Sequence, residues 1–262
     1  MRASPDKTRN GFSLVEMLVA TAVFVMMMTL LLTITSQMNS AWQQADAQKS
    51  RRQSARALLD TIVRDMESAL LPLDSANKKS VWFLMNPAAV GFRHRDSLFW
   101  QAALPEDGGK SDVTMVGYFV RWEGTRSILC RVYIPPGDPN YRIYEAPETW
   151  LNDAFLDAVA PADKANDYRG LLAENVFALW VTLRDRDGGL ITAPYDSRSE
   201  SNLPASAEVA LVIADPLAAR RLDQPLTSYN QATVEDFVAA LPEGVRKGVQ
   251  IFRTRINLEA SR

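Results

Sequence analysis

One charged side chain, Glu16, stands between Arg9 and Asp46, inside a run, 12–34, that is otherwise uncharged and mostly apolar. A carboxylate within a membrane-spanning helix costs about 2.5–3.5 kcal/mol on insertion scales. Buried alone it is half of an ion pair, and a cation is needed to relieve it. An acidic pair, Asp185 and Asp187, lies beside Gly188 and Gly189. Clustered carboxylates and carbonyls suit a hard cation, and calcium is the ion such a half-loop would take. The same Asp-Arg-Asp-Gly-Gly string reads first as a hairpin turn, the full EF-hand spacing is absent, and no metal or cofactor is expected. His94, the only histidine, sits between Arg93 and Arg95 and reads as part of a solvated loop. Cys130, the only cysteine, lies in the apolar string SILCRVYI; it reads as a buried strand residue, and no intrachain disulfide can form. Gly-rich phosphate loops, serine nucleophile elbows and Cys-x-x-Cys pairs are missing. The expectation is a protein that is not an enzyme.

The element that must position Glu16 is the apolar run itself, which is long enough to cross a bilayer as a helix. A short leader with Arg2, Lys7 and Arg9 precedes it, and Gly11 stands at the junction. A secretory signal would place its small-residue cleavage site after the apolar core, whereas here the glycine lies in front. The basic leader predicts a cytoplasmic N-terminus, with all that follows the helix on the outer face. Charge is nearly balanced, 29 basic against 31 acidic residues, so no nucleic-acid partner is expected.

Helical character continues past the apolar run. No Gly or Pro occurs between Ser36 and Leu70, and Ala55, Leu58, Leu59, Ile62, Met66 and Ala69 recur at spacings of three and four. Arg56, Asp60 and Arg64 stand four apart on another face, as a solvated side would have them. The spacing predicts one nearly continuous helix from residue 12 to about 70, roughly 90 Å long, stopped by Pro72. Four segments follow: a cytoplasmic leader, 1–11; a transmembrane helix, 12–35; its amphipathic continuation, 36–71; and a globular head, 72–262.

Beyond Pro72 the chain reads as strand-rich. Strands are predicted at 80–85, 97–103, 114–122 and 127–134, the last two forming a hairpin around Gly124 and Thr125. A helix is predicted at 147–159, a strand at 175–184 returning through 190–193, and a polar loop at 195–203. Residues 207–214 make a clean strand, 217–222 a short helical piece, and 234–241 a helix capped by Thr233 with Asp236 three residues on. The last strand, 249–258, alternates Ile251, Arg253, Arg255 and Asn257 with Phe252, Thr254, Ile256 and Leu258. Trp82, Trp100, Trp122 and Trp180 fall in strand patterns, where core or subunit contact is expected. Arg220 and Arg221 read as a helix C-terminal charge preference.

The unbroken string Gly11-Phe12-Ser13-Leu14-Val15-Glu16 resembles the N-terminal cleavage and methylation motif of type IV pilins and type II secretion pseudopilins. The resemblance implies cleavage after Gly11 by a prepilin peptidase, N-methylation of Phe12, and a Glu16 that faces the amino terminus of a neighbouring subunit and helps set its register. It implies an α+β fold in which a long stem helix, transmembrane in its first half, packs on a head of antiparallel sheets and short helices. Chain length, the final strand and the Val63-Arg64-Asp65-Met66 turn resemble the large minor pseudopilins of the J class. LAENVFALWV (172–181), YDSR (195–198), NLPASAEVALVIAD (202–215) and IFRTRINL (251–258) resemble the pilin-like cassette protein C of Verrucomicrobia and related bacteria. The implied partners are the peptidase, other pilin or pseudopilin subunits, an inner-membrane assembly platform and the lipid bilayer. The implied location is the bacterial inner membrane, head periplasmic, in a secretion pseudopilus or a pilus-like filament, with a bulky head placed at the tip rather than along the shaft. An anchored binding protein that never polymerises is the alternative. An anchored hydrolase would need a pocket of convergent titratable groups.

Overall fold

The computed structural model describes residues 13–72, 81–91, 95–104, 113–163, 165–166, 169–222, 224, 226 and 231–258. Gly11, Phe12 and His94 lie outside these. The chain divides into two compact units, 1–50 and 51–262. Helix α1, Leu14–Glu67, belongs to both. In the first unit the described side chains of the helix are exposed all round.

In the second unit the predicted amphipathic face is present. Ala55, Leu59, Ile62 and Met66 are buried while Arg56, Asp60 and Arg64 are exposed. The helix ends at Glu67, before Pro72 is reached. The physical reason is competition for backbone hydrogen bonds. Leu70 N–H donates to the Gln101 carbonyl at 2.7 Å, Ala103 N–H donates to the Ser68 carbonyl at 2.8 Å, and Ala69 bridges Ala102. A strand partner thus takes over the backbone three residues earlier than the proline would have required.

The strands are β1 Phe83–Met85, β2 Ser97–Ala102, β3 Thr114–Glu123, β4 Arg126–Ile134, β5 Ala165–Asn166, β6 Arg169–Glu174, β7 Val176–Arg184, β8 Leu190–Ile191, β9 Tyr195–Asp196, β10 Ser206–Ala214 and β11 Val249–Asn257. The remaining helices are α2 Asp153–Val159, α3 Pro216–Arg220, α4 Val234–Ala239 and α5 Glu243–Arg246. They build two antiparallel sheets, one of seven strands in the order β5-β6-β4-β3-β2-β1-β9 and one of four in the order β11-β10-β7-β8. The expected α+β fold, a long apolar N-terminal helix followed by a head of antiparallel sheets and short helices, is what the chain adopts.

One core cluster joins the buried α1 face to one side of both sheets, through Phe83, Trp100, Tyr118, Leu179, Val209 and Leu211. The opposite side of the seven-stranded sheet packs with α2, and that of the four-stranded sheet with α3, α4 and α5. Every residue of β2 is buried. A strand covered on both faces loses the polar–apolar alternation that would otherwise mark it. At its partner position in β3, Gly117 admits the ring of Phe99: a Cβ there would lie 2.3 Å from Phe99 Cδ1.

Four local expectations change. The helix predicted at 147–159 is split into a 3-10 turn, Pro147–Thr149, and α2. Asn152 caps α2 by accepting from Phe155 N–H at 3.0 Å, and an N-cap residue has extended backbone that interrupts a helix. Residues 195–203, predicted as loop, supply β9, which pairs with β1. Strand β6 precedes the predicted start at 175, because Asn175, at φ 61°, turns the chain from one sheet into the other. Helix α5 was not foreseen.

Candidate functional site

The acid within the apolar segment is built into the start of α1. Ser13 Oγ accepts from Glu16 N–H at 3.2 Å, and Ser13 N–H donates to Glu16 Oε2 at 3.0 Å. This is a reciprocal capping box, which satisfies two backbone donors that a helix start leaves open. The Ser-x-x-Glu spacing at 13–16 would have revealed it in the sequence. From there the helix offers a span long and apolar enough to cross a membrane, Leu14–Trp42. Its hydroxyls are turned inward on their own backbone: Thr21 donates to the Leu18 carbonyl, Thr33 to Thr29 and Thr35 to Leu31, at 2.8–2.9 Å. A helix can therefore carry threonines through an apolar medium without a partner to satisfy them. Trp42, mostly exposed, closes the span, where an amphipathic ring suits a membrane–water boundary.

At the other end of α1 lies a buried charge, Asp65, in the 63–66 string expected as a turn, which is helical because its apolar side packs on the sheets. Asp65 is 3% exposed. Its carboxylate accepts from Arg131 Nε and Nη2 at 2.8 and 2.9 Å and from Tyr118 Oη at 2.5 Å. Its carbonyl accepts from Trp100 Nε1 at 3.2 Å. The signal was its position, three residues after Ile62 and directly before Met66 on the apolar face. Burial, with the Asp65 charge behind it, pushes the Tyr118 hydroxyl well above its ordinary pKa. Burial opposes the charge on Arg131, yet its bonds to Asp65 and Tyr118 outweigh this and hold the guanidinium above its ordinary value.

The other singled-out residues have local roles. Asp185 Oδ1 accepts from the N–H groups of Asp187 and Gly189 at 3.1 and 2.6 Å, so this carboxylate closes the turn between β7 and β8. Among the described residues no three His, Cys, Asp or Glu side chains converge on a point. Trp82 and Trp100 are fully buried, Trp180 nearly so, and Trp122 half-buried. Arg221 donates to the Gly244 carbonyl, tying α3 to α5. Beside β9 a cleft of about 410 Å³ is lined by Leu84, Pro147, Leu151, Tyr195 and Arg198. Arg198 bonds Asp196 at 2.6 Å and Glu148 at 2.8 Å. The bond to Arg198 lowers the Glu148 pKa, and the bond to Asp196 raises that of Arg198. Both shifts lead away from the neutral range in which a general acid or base works.

Cys130 is fully buried in β4, and burial pushes its thiol from about 9 up to about 12. A folded-state pKa above the unfolded one stabilises fully below pH 9 and loses that contribution as pH rises toward 12. Stability should therefore fall across this window with a slope approaching about 1.4 kcal/mol per pH unit from this thiol alone, and Tyr118 should add its share above pH 10. Urea midpoints measured from pH 8 to 11 check this. In Cys130→Ala the dependence on pH should be shallower between 9 and 10, whatever happens to the midpoint itself.

Residues 6–32 match the family model described as the prokaryotic N-terminal methylation motif. No curated protein matches the chain. Among solved structures, a type IV-like pilin from Thermus thermophilus aligns with 80% of this chain and 96% of its own length, at 10% identity and a TM-score of 0.43.

Proposed function

We propose that this chain is a non-catalytic minor pilin or pseudopilin subunit, made as a precursor, cut between Gly11 and Phe12 by a prepilin peptidase, methylated on Phe12, and assembled through α1 into a type IV pilus-like or type II secretion-like filament. The observation that carries it is a carboxylate, Glu16, in the first turn of an exposed apolar helix, within the residues 6–32 that match the methylation motif. In this reading residues 1–11 are the cytoplasmic leader, 12–35 span the inner membrane, 36–71 continue the helix, and 72–262 form the periplasmic head.

The chemistry follows from the amine that cleavage would free at Phe12. N-methylation keeps that amine basic and cationic. In the membrane it is costly alone, as Glu16 is. Glu16 spends one acceptor site on its own Ser13 N–H, and an ionised carboxylate has about four. It therefore retains capacity for the amine of the next subunit. An interchain pair relieves both charges, and one charged pair per interface fixes the axial register of otherwise featureless apolar helices. Bulk of the head favours a tip position, and the J class of pseudopilins and the Verrucomicrobia cassette protein C are the finer resemblances. The assembly platform of the inner membrane is the remaining partner.

Mass spectrometry of the N-terminal peptide from the native membrane tests the proposal. A mature chain that starts at Phe12 and carries one extra methyl group is expected. A chain that still starts at Met1 overturns it.

A further inference from the structure

A second cleft, of about 520 Å³, adjoins the one beside β9, and Glu148, Asp196 and Arg198 line both. Volumes of this order suit small-molecule sites. Its other wall carries Ile143, Tyr144 and Glu145, with Trp82 below. Trp82 Nε1 and Gln101 Nε2 both donate to the Ile143 carbonyl, at 3.4 and 3.0 Å, so this wall is tied to the sheet. Next to that anchor, Tyr144 is 84% exposed, and no other aromatic ring among the described residues is as exposed. An edge contact with the Tyr141 ring, centroids 6.1 Å apart, steadies it.

The polar groups of this cleft are of mixed sign and already oriented. Arg198 Nε donates to Asp196 Oδ1 at 3.1 Å, and its Nη2 donates to Asp196 Oδ2 at 2.6 Å and Glu148 Oε2 at 2.8 Å. Its Nη1 makes no bond among the described residues, so part of the five-donor guanidinium fork stays open. Glu145 meets Arg142 at 3.9 Å, which is beyond a hydrogen bond. Glu145 and Glu148 both keep acceptor capacity, since an ionised carboxylate has about four sites.

We propose that this cleft binds a neutral pyranose sugar, stacked on the Tyr144 ring, with its hydroxyls bonded to Arg198, Glu145 and Glu148. A hydroxyl both donates and accepts, so neighbouring hydroxyls of one sugar satisfy guanidinium donors and carboxylate acceptors together. The C–H face of a pyranose suits an exposed aromatic face, as the apolar body of a tyrosine suits an amphipathic partner. Charged ligands fit less well. An anion would lie beside three carboxylates, those of Glu145, Glu148 and Asp196. A cation would lie beside the Arg198 guanidinium, with Glu148 and Asp196 already compensated by it and Glu145 facing Arg142. Like-charge juxtaposition suppresses the wrong partner in each case. The inference rests on the head alone and holds whether or not the chain is processed at Gly11.

The test uses the full chain in micelles of a sugar-free polyoxyethylene detergent. Cellotriose, the cationic glucosamine trimer and the anionic galacturonate trimer are titrated by calorimetry. Cellotriose should bind more tightly than either charged trimer, by about tenfold. Tyr144→Ala, an exposed substitution, should weaken cellotriose binding about three- to tenfold, and Tyr144→Trp should retain it. Glucose binding as tightly as cellotriose supports the site with a free sugar as its occupant, and a tighter trimer supports it with a glycan chain. No cellotriose binding up to about 10 mM, equal or tighter binding of either charged trimer, or binding indifferent to Tyr144→Ala overturns the proposal.

Discussion

Asp65→Ala should lower the unfolding free energy of the head by about 3–5 kcal/mol, the usual cost of leaving one member of a buried ion pair uncompensated. The substitution strands the Arg131 guanidinium and the Tyr118 hydroxyl, both of which now bond to that carboxylate. The loss comes from the abandoned partners more than from the pair itself. Asp65→Leu combined with Arg131→Met and Tyr118→Phe should therefore recover most of it, since apolar replacement of a buried ionic cluster is often neutral or better. Urea unfolding followed by tryptophan fluorescence checks both, because Trp100 bonds the Asp65 backbone and reports on this contact. A single variant within about 1 kcal/mol of the parent would mean that water reaches Arg131 when Asp65 is gone.

The second large effect is expected at Glu16, where two roles are superposed. Its carboxylate closes the capping box with Ser13, and by our proposal it also meets a neighbour's amine. Glu16→Gln separates them, because glutamine serves equally at the third position of a capping box but carries no charge. The helix start should survive, and insertion should improve by up to about 3 kcal/mol as the charge leaves the apolar segment. Incorporation into filaments should nevertheless fall by about 100-fold or more, as loss of a buried ion pair's partner predicts. The ratio of filament-bound to membrane-bound chain, measured beside the parent, gives the answer. Unchanged incorporation would leave Glu16 with the capping role alone. Ser13→Ala is the complementary variant: it weakens the cap by about 0.5–2 kcal/mol and leaves the charge in place.

Periodicity carried the elements whose two faces differ. Helix α1 from 51 to 67 shows its buried stripe at 55, 59, 62 and 66, and β11 alternates exposed Arg253, Arg255 and Asn257 with covered Thr254 and Ile256, because there each has one side on the core and one outside. The α+β fold class came from the resemblance carried by residues 11–16, beside the strand-rich reading of the head. What stayed hidden lacked a local pattern. β9 is two residues long and exists by pairing with β1, more than a hundred positions earlier. Asn152 and Asn175 were visible as residues, but their capping and left-handed conformations depend on what packs around them. The motif at 11–16 was legible because order alone defines it, whereas the Asp65 cluster needed β3 and β4 laid beside the helix before its acid, guanidinium and phenol could meet.

That cluster also has a mechanical consequence. Sliding the helix by one turn along the sheet would carry Asp65 about 5.4 Å, beyond reach of all three side-chain bonds it now accepts. A ratchet between the two elements is thereby closed off. A one-turn slip between residues 51–67 and the sheet would have to break all three bonds together.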